Sequence, residues 1–252
     1  MQRVIITGAS SGIGTALARH YAQRGATLGL IARRKSELEQ LAAQLSAPAR
    51  IYPADVRDAA TLQAAAADFI ARHGAPDIVI ANAGVSIGTL TEFAEDVQAF
   101  QEVIDINLVG IVKTFQPFVA AMRAAGRGTL VGIASVAGYR GLPGAAAYST
   151  SKAAAISYLE SLRVELHTSG ISVITICPGF IATPMTANNP YPMPFMLSAE
   201  VAAQKIAGII DRGKTFAVIP WQMAIIARVL RVLPNWLYDR LFSGAPRKSR
   251  RV

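Results

Sequence analysis

Ser135, Tyr148 and Lys152 carry the side chains in this 252-residue chain whose types and spacing could do chemistry. Tyr148 and Lys152 stand four positions apart in the run YSTSK. On a helix, positions i and i+4 share a face, so a phenol and an ammonium would stand side by side. Ser135 ends an apolar run that reads as a strand. A hydroxyl, a phenol and an ammonium at one point can pass a proton and steady a developing negative charge. Taken alone, Tyr-x-x-x-Lys is equally a surface-helix pattern, and Ser135 could simply end its strand.

A second cluster opens the chain. In VIITGASSGIG, Val4 to Gly14, an apolar run enters three spaced glycines and a helical pattern follows. Gly8 permits a tight turn out of the strand. Gly12 and Gly14 lack a Cβ, so a pyrophosphate can approach the backbone and the helix can pack on the sheet. The free amides at the helix start favour an anion. The spacing is one residue wider than the usual dinucleotide fingerprint, and such a turn can equally bind nothing. The clamp lysine of ATP- and GTP-binding loops is missing, which argues against those ligands. The second strand ends in LIARRK. Ala32 stands where an acid would accept a ribose 2′-hydroxyl, and Arg33 and Arg34 follow. Guanidinium groups suit a 2′-phosphate, so this run predicts NADP rather than NAD. The alternative is a basic helix start on the surface.

The elements that must position these groups follow from periodicity. Nearly continuous apolar runs occur at 3–7, 27–32, 49–54, 77–83, 129–135, 171–178 and 216–220, as for parallel strands covered on both faces. Helical patterns lie between them, near 13–24, 36–46, 58–73, 98–125, 147–168 and 199–212. The alternation predicts a single α/β domain, a doubly wound, Rossmann-like parallel sheet of about seven strands flanked by helices. Residues 1–220 form the dinucleotide-binding and catalytic part, and 221–252 an apolar helical extension with a basic tail. A hydroxyl, a phenol and an ammonium would then meet at the carboxyl ends of the strands, where open α/β sheets bind ligands.

With these residues in place, the chain resembles the short-chain dehydrogenase/reductase family over roughly residues 3–220. TGASSGIG is similar to the family's cofactor turn, which brings in Ser10, Ser11 and Ile13 beside Gly8, Gly12 and Gly14. ADV, with Asp55 and Val56, is similar to its adenine-contacting site. ANAG, with Asn82, Ala83 and Gly84, is similar to its fourth-strand motif. Asn107, Ser135, Tyr148 and Lys152 match its catalytic tetrad. PGFIAT, with Pro178, Gly179, Ile181 and Thr183, matches its nicotinamide-side motif. One departure is Ser11, where many NADP-using members carry a basic residue. The NADP expectation therefore rests on Arg33 and Arg34.

The resemblance implies hydride transfer between a nicotinamide and a carbonyl or alcohol. Tyr148 would act as general acid, Ser135 would orient the carbonyl oxygen, and Lys152 would also hold the nicotinamide ribose. Asn107 would hold a water linking the lysine to solvent. A charge about 4 Å away at an effective dielectric of 20 contributes roughly 4 kcal/mol, about three pKa units. Lys152 is thus expected to bring the Tyr148 phenol from about 10 toward 7. The alternative is an NADP-binding redox sensor of the same fold, which would not need Ser135, Tyr148 and Lys152. Asp55 has a second reading as a helix N-cap, and Cys177 reads as small buried filler.

Two segments break the rhythm. Residues 180–197 carry four prolines, three methionines and three aromatics with no charge, which suits a lipophilic ketone, aldehyde or secondary alcohol. A proline-rich loop packing on its own domain reads equally well. Residues 221–233 form an apolar helical pattern with Arg228 and Arg231, too short to span a bilayer. A membrane interface, the chain's own sheet and a partner subunit stay open as its cover. The net charge of +9 lies partly in the last six residues, read as a frayed tail. No basic stripe is interleaved with aromatics, so nucleic acid is not expected. One cysteine and three histidines give no disulfide framework and no metal spacing. The chain reads as a cytoplasmic homodimer or homotetramer, or one peripheral at a membrane.

Overall fold

The computed structural model describes residues 1–250. Nine strands follow in chain order: β1 (Arg3–Thr7), β2 (Thr27–Ala32), β3 (Ala49–Pro53), β4 (Ile78–Ala81), β5 (Gly128–Ile133), β6 (Ile171–Pro178), β7 (Ile181–Ala182), β8 (Leu197–Ser198) and β9 (Phe216–Ile219). Seven form one parallel sheet in the order β3-β2-β1-β4-β5-β6-β9, and β7 pairs with β8 alone. β1 shows why the runs are continuously apolar. Val4 and Ile6 enter one core layer and Ile5 the other, as a strand covered on both faces requires.

The helices are α1 (Gly12–Gln23), α2 (Lys35–Gln44), α3 (Ala59–His73), α4 (Asp96–Ile104), α5 (Gly110–Ala124), α6 (Ala146–Glu165), α7 (Ala199–Asp211), α8 (Trp221–Val232) and α9 (Asn235–Phe242). α1, α2 and α7 cover one face, and α3, α5 and α6 the other. A wide π-helical turn, Asp105–Val109, joins α4 to α5. The continuous helix Asp96–Ala124 is long and apolar enough to cross a membrane by length and composition. It instead buries Ile106, Ile111, Phe115 and Phe118 against the sheet, as a core helix does.

β4 and β5 stop short of the predicted ends for local reasons. Past Ala81, the amides of Asn82 and Ala83 donate to Thr7 Oγ1 at 3.1 and 3.2 Å, so the ladder ends. Past Ile133, Ser135 Oγ accepts from Ala137 N at 3.1 Å and starts a short 3-10 turn. Ser135 therefore lies two residues beyond its strand. The cap of α3 is Asp58, which accepts from Ala60 N and Thr61 N. Asp55 is no helix cap and pairs with Arg57 instead. Cys177 is fully buried, and burial pushes its thiol up to about 12.

The basic tail is not frayed through Arg250. Gly88 N donates to Ser249 O at 3.1 Å. Arg250 donates to Asp96 Oδ2 at 2.7 Å and Glu95 Oε1 at 2.8 Å, and its guanidinium lies 3.5 Å from the Phe93 ring centroid. One buried carboxylate, Asp96, one exposed carboxylate, Glu95, and an aromatic face give this guanidinium a better environment than solvent alone.

Candidate active site

The sheet order reverses across β1 and β4, and the turn after β1 opens there, at the point where doubly wound sheets bind ligands. Gly8 has φ +67°, and a Cβ on it would meet Ala83 Cα at 2.8 Å. A Cβ on Gly14 would run into the Gly8 carbonyl oxygen. Only glycine lets α1 start this close to its own strand. Ser11, the N-cap of α1, makes no side-chain cap hydrogen bond. The first amides of the helix are thus left without a side-chain acceptor, which fits an anion placed at the turn.

A cleft of about 400 Å³ runs from this turn across the carboxyl ends of the strands. Its lining includes Gly8, Ser10, Ser11, Gly12 and Ile13 at the turn, and Arg33 and Arg34 after β2. Asp55 and Val56 follow β3; Asn82, Ala83 and Gly84 follow β4; Ser135, Tyr148 and Lys152 form the far wall. Pro178, Gly179, Ile181 and Thr183 close it from β6 and β7. Gly14 lies behind the turn rather than on the surface of the cleft. Asn107 is also outside it, fully buried.

Each wall residue has a local cause. Asn82 Nδ2 donates to Thr7 O at 3.0 Å and ties the ends of β1 and β4 together. Arg34 donates to Ser10 O and Ser10 Oγ at 3.1 and 3.0 Å, which pins the turn. Arg33 is more than half exposed and reaches Asp55 only at 3.9 Å. Asp55 is held by Arg57 at 2.7 Å, and this hydrogen bond lowers its carboxyl pKa. Arg33 thus lines the cleft with a side chain that is more than half exposed and has only a long contact to Asp55.

The π-helical turn sets Asn107. Its side chain accepts from Val85 N at 2.8 Å and donates to Val85 O at 2.9 Å and to Ser151 Oγ at 3.0 Å. Ser151 Oγ donates to Tyr148 O at 2.7 Å. Asn107 therefore fastens the loop after β4 to the helix that carries Tyr148. Lys152, only 4% exposed, donates to Ile133 O at 2.8 Å and lies 5.8 Å from the Tyr148 ring centroid.

Electrostatics here differ from the expected near-neutral phenol. Burial raises the Tyr148 pKa, with the Ser135 side chain working against the rise. Burial lowers Lys152 to about 8. Desolvation pushes each group toward its uncharged form. The loss of water around each group opposes the lowering that a nearby charge would cause.

Sequence reasoning missed several contributors. Thr7 is fully buried and clamps the end of β4. Thr89 Oγ1 accepts from Ala147 N at 3.2 Å and caps α6, whose own N-cap is Ala145. Met185, within the 180–197 segment read as the substrate side, lines the cleft as expected, whereas the contribution of Lys248, whose Nζ reaches Met185 O at 3.5 Å, was not foreseen. The chain end thus crosses from the 88–96 loop to the 180–197 segment, beside the wall that holds Tyr148. Long-range contacts of this kind leave no periodic trace in sequence.

A family profile described as short chain dehydrogenase matches residues 2–192. An uncharacterized oxidoreductase of Myxococcus xanthus is 38% identical over 240 residues, covering 93% of this chain and 94% of the relative. A short chain dehydrogenase of Burkholderia cenocepacia, solved in complex with NADP, superimposes with a TM-score of 0.83 at 25% identity, covering 98% and 100% of the two chains. An alcohol dehydrogenase of Thermococcus sibiricus, complexed with 5-hydroxy-NADP, gives 0.76 at 25% identity over 87% and 96%. The turn, the cleft and the Ser-Tyr-Lys wall thus stand in a chain that belongs to the short-chain dehydrogenase/reductase family, an NAD(P)-dependent oxidoreductase acting on CH–OH and C=O groups.

Proposed function

We propose that the protein reduces lipophilic ketones or aldehydes with NADPH, and oxidises the corresponding alcohols in reverse. The observation that carries the cofactor choice is the end of β2. No acid is available at Ala32 to accept a 2′-hydroxyl, and Arg33 faces the cleft with only a distant partner. A 2′-phosphate would take that guanidinium's donors in a charge-assisted pair. The two solved relatives named above were crystallised with NADP or an NADP derivative, which supports the same reading.

The bound nicotinamide supplies or accepts the hydride. This chain's residues manage the proton and the oxygen. In reduction, the Tyr148 phenol gives its proton to the carbonyl oxygen as that oxygen gains charge. Ser135 Oγ donates to the same oxygen and fixes its direction. The Lys152 ammonium stabilises the phenolate left behind, and Asn107 holds the backbone on which this wall is built. The raised Tyr148 pKa keeps the proton on the phenol until the oxygen needs it. The apolar choice rests on the 180–197 segment, with Phe180, Met185, Tyr191 and Met193 and no ionic side chain.

The test is a screen of aldehydes, ketones and alcohols of graded chain length, followed by NADPH absorbance, with NADH in parallel. Turnover should rise with apolar chain length and favour NADPH. Equal use of NADH contradicts the cofactor reading. Tight NADPH binding with no turnover across the screen supports the redox-sensor alternative.

A further inference from the structure

Helix α8 is apolar on the side that faces away from the protein as well as on the side that faces in. Met223 and Ala227 are buried toward the sheet. Trp221, Ile225, Val229 and Val232 are 67%, 52%, 52% and 79% exposed. At about 100° per residue these four fall on one face, opposite Met223 and Ala227. Trp236, 69% exposed, follows on α9. A run of large apolar side chains of this extent on an otherwise well-packed chain marks a contact surface.

The charge around the stripe says what contacts it. On α8 and α9 themselves the sequence holds three basic residues, Arg228, Arg231 and Arg240, and one acidic residue, Asp239. Arg228 stands on the edge of the stripe, and Arg240 is exposed on α9. From these observations we infer that α8 and α9 dock the protein on an anionic membrane surface. α8 has 12 residues, about 18 Å at 1.5 Å each, too short to cross the hydrocarbon and of the length and polarity that lie in the interface plane. Trp221 and Trp236 bracket the stripe with rings suited to the headgroup level, and the arginines meet lipid phosphates. A second copy is the poorer occupant. A two-fold contact centred on the stripe would bring Arg228 close to its own copy, and Asp239 is the one carboxylate on α8 and α9 to offset the repulsion.

The docked face is fixed to the active-site wall. Arg140 Nη1 donates to Leu230 O at 2.9 Å and Leu233 O at 2.6 Å, and Nη2 donates to Asn235 Oδ1 at 2.8 Å. Its guanidinium lies 4.1 Å from the Tyr238 ring centroid, and Tyr238 donates to Gly141 O. The loop so held joins Ser135 to Tyr148, so the surface that meets lipid is rigidly joined to the substrate side of the cleft. The docking does not rest on the substrate reading, since binding to lipid needs no turnover.

The test uses full-length protein with vesicles of phosphatidylglycerol and, as control, phosphatidylcholine. The protein should pellet with the first and not the second, its tryptophan emission should shift to the blue, and high salt should weaken the binding. Ile225→Asp and Val232→Asp change exposed side chains, so circular dichroism and NADPH binding should stay as in the parent. Each should cut affinity for phosphatidylglycerol vesicles about tenfold or more. Failure to pellet with phosphatidylglycerol, equal pelleting with both lipids, or unchanged affinity in the variants overturns the inference. So does a dimer in sedimentation velocity that Ile225→Asp dissociates without any vesicle binding, which would assign the stripe to a second copy.

Discussion

Lys152 is a buried ammonium that, among the described residues, donates to the Ile133 carbonyl oxygen. The fold therefore holds a charge that it would be more stable without. Its pKa falls from the ordinary 10.5 to about 8, chiefly through burial. The sign follows from linkage. The folded protein binds this proton less tightly than the unfolded chain does, so folding carries a penalty that is full below about 8 and fades as pH rises toward 10.5. At about 1.4 kcal/mol per pKa unit, the penalty at pH 7 is on the order of 3 kcal/mol, and near pH 10 about 1 kcal/mol. Lys152→Met removes the titration and leaves Ile133 O without its donor, a constant cost that does not vary with pH. The assay is urea unfolding of cofactor-free protein, parent against variant, from pH 7 to 10. The parent should gain about 2 kcal/mol relative to Lys152→Met over that range, and the tyrosine titrations common to both proteins should cancel. A difference that stays flat with pH refutes the buried-charge account of the site.

Three further outcomes follow from the geometry. Arg33→Ala should weaken NADPH about ten- to a hundredfold, the loss of one charged hydrogen bond, and leave NADH nearly unchanged in a fluorescence titration. Gly14→Ala puts a Cβ on the Gly8 carbonyl oxygen, so it should lower the thermal midpoint and abolish cofactor binding; a folded variant with parental affinity would contradict the close approach of α1 to β1. Arg250→Ala removes the tail's hold on Glu95 and Asp96, so KM for the carbonyl should rise several-fold with NADPH affinity kept, and an unchanged KM would show that the tail does not shape the substrate side.

Most of the fold was legible because its signals are local. β1, β2 and β6 have the predicted bounds, since a strand buried on both faces must be apolar throughout. The glycine turn was legible because a positive φ and a close approach admit one residue type. The groups of the Ser-Tyr-Lys wall were visible by type and spacing. Their electrostatics were not, because desolvation depends on everything packed around them. Asn107 carried a motif but no hint that its partners are Val85 and Ser151, which the π-helical turn selects. The tail read as frayed because charge and position favour solvent. The pairing of Arg250 with Glu95 and Asp96 joins residues some 155 positions apart, and no pattern within either segment announces it.

The central claim is that Tyr148 delivers the proton while NADPH delivers the hydride. Tyr148→Phe keeps the ring and removes that proton. With a carbonyl substrate from the screen, its NADPH-dependent turnover should fall about a hundredfold or more, the scale of a lost general acid, while the NADPH dissociation constant stays within a few-fold of the parent. Turnover close to the parent's in that variant would contradict the account.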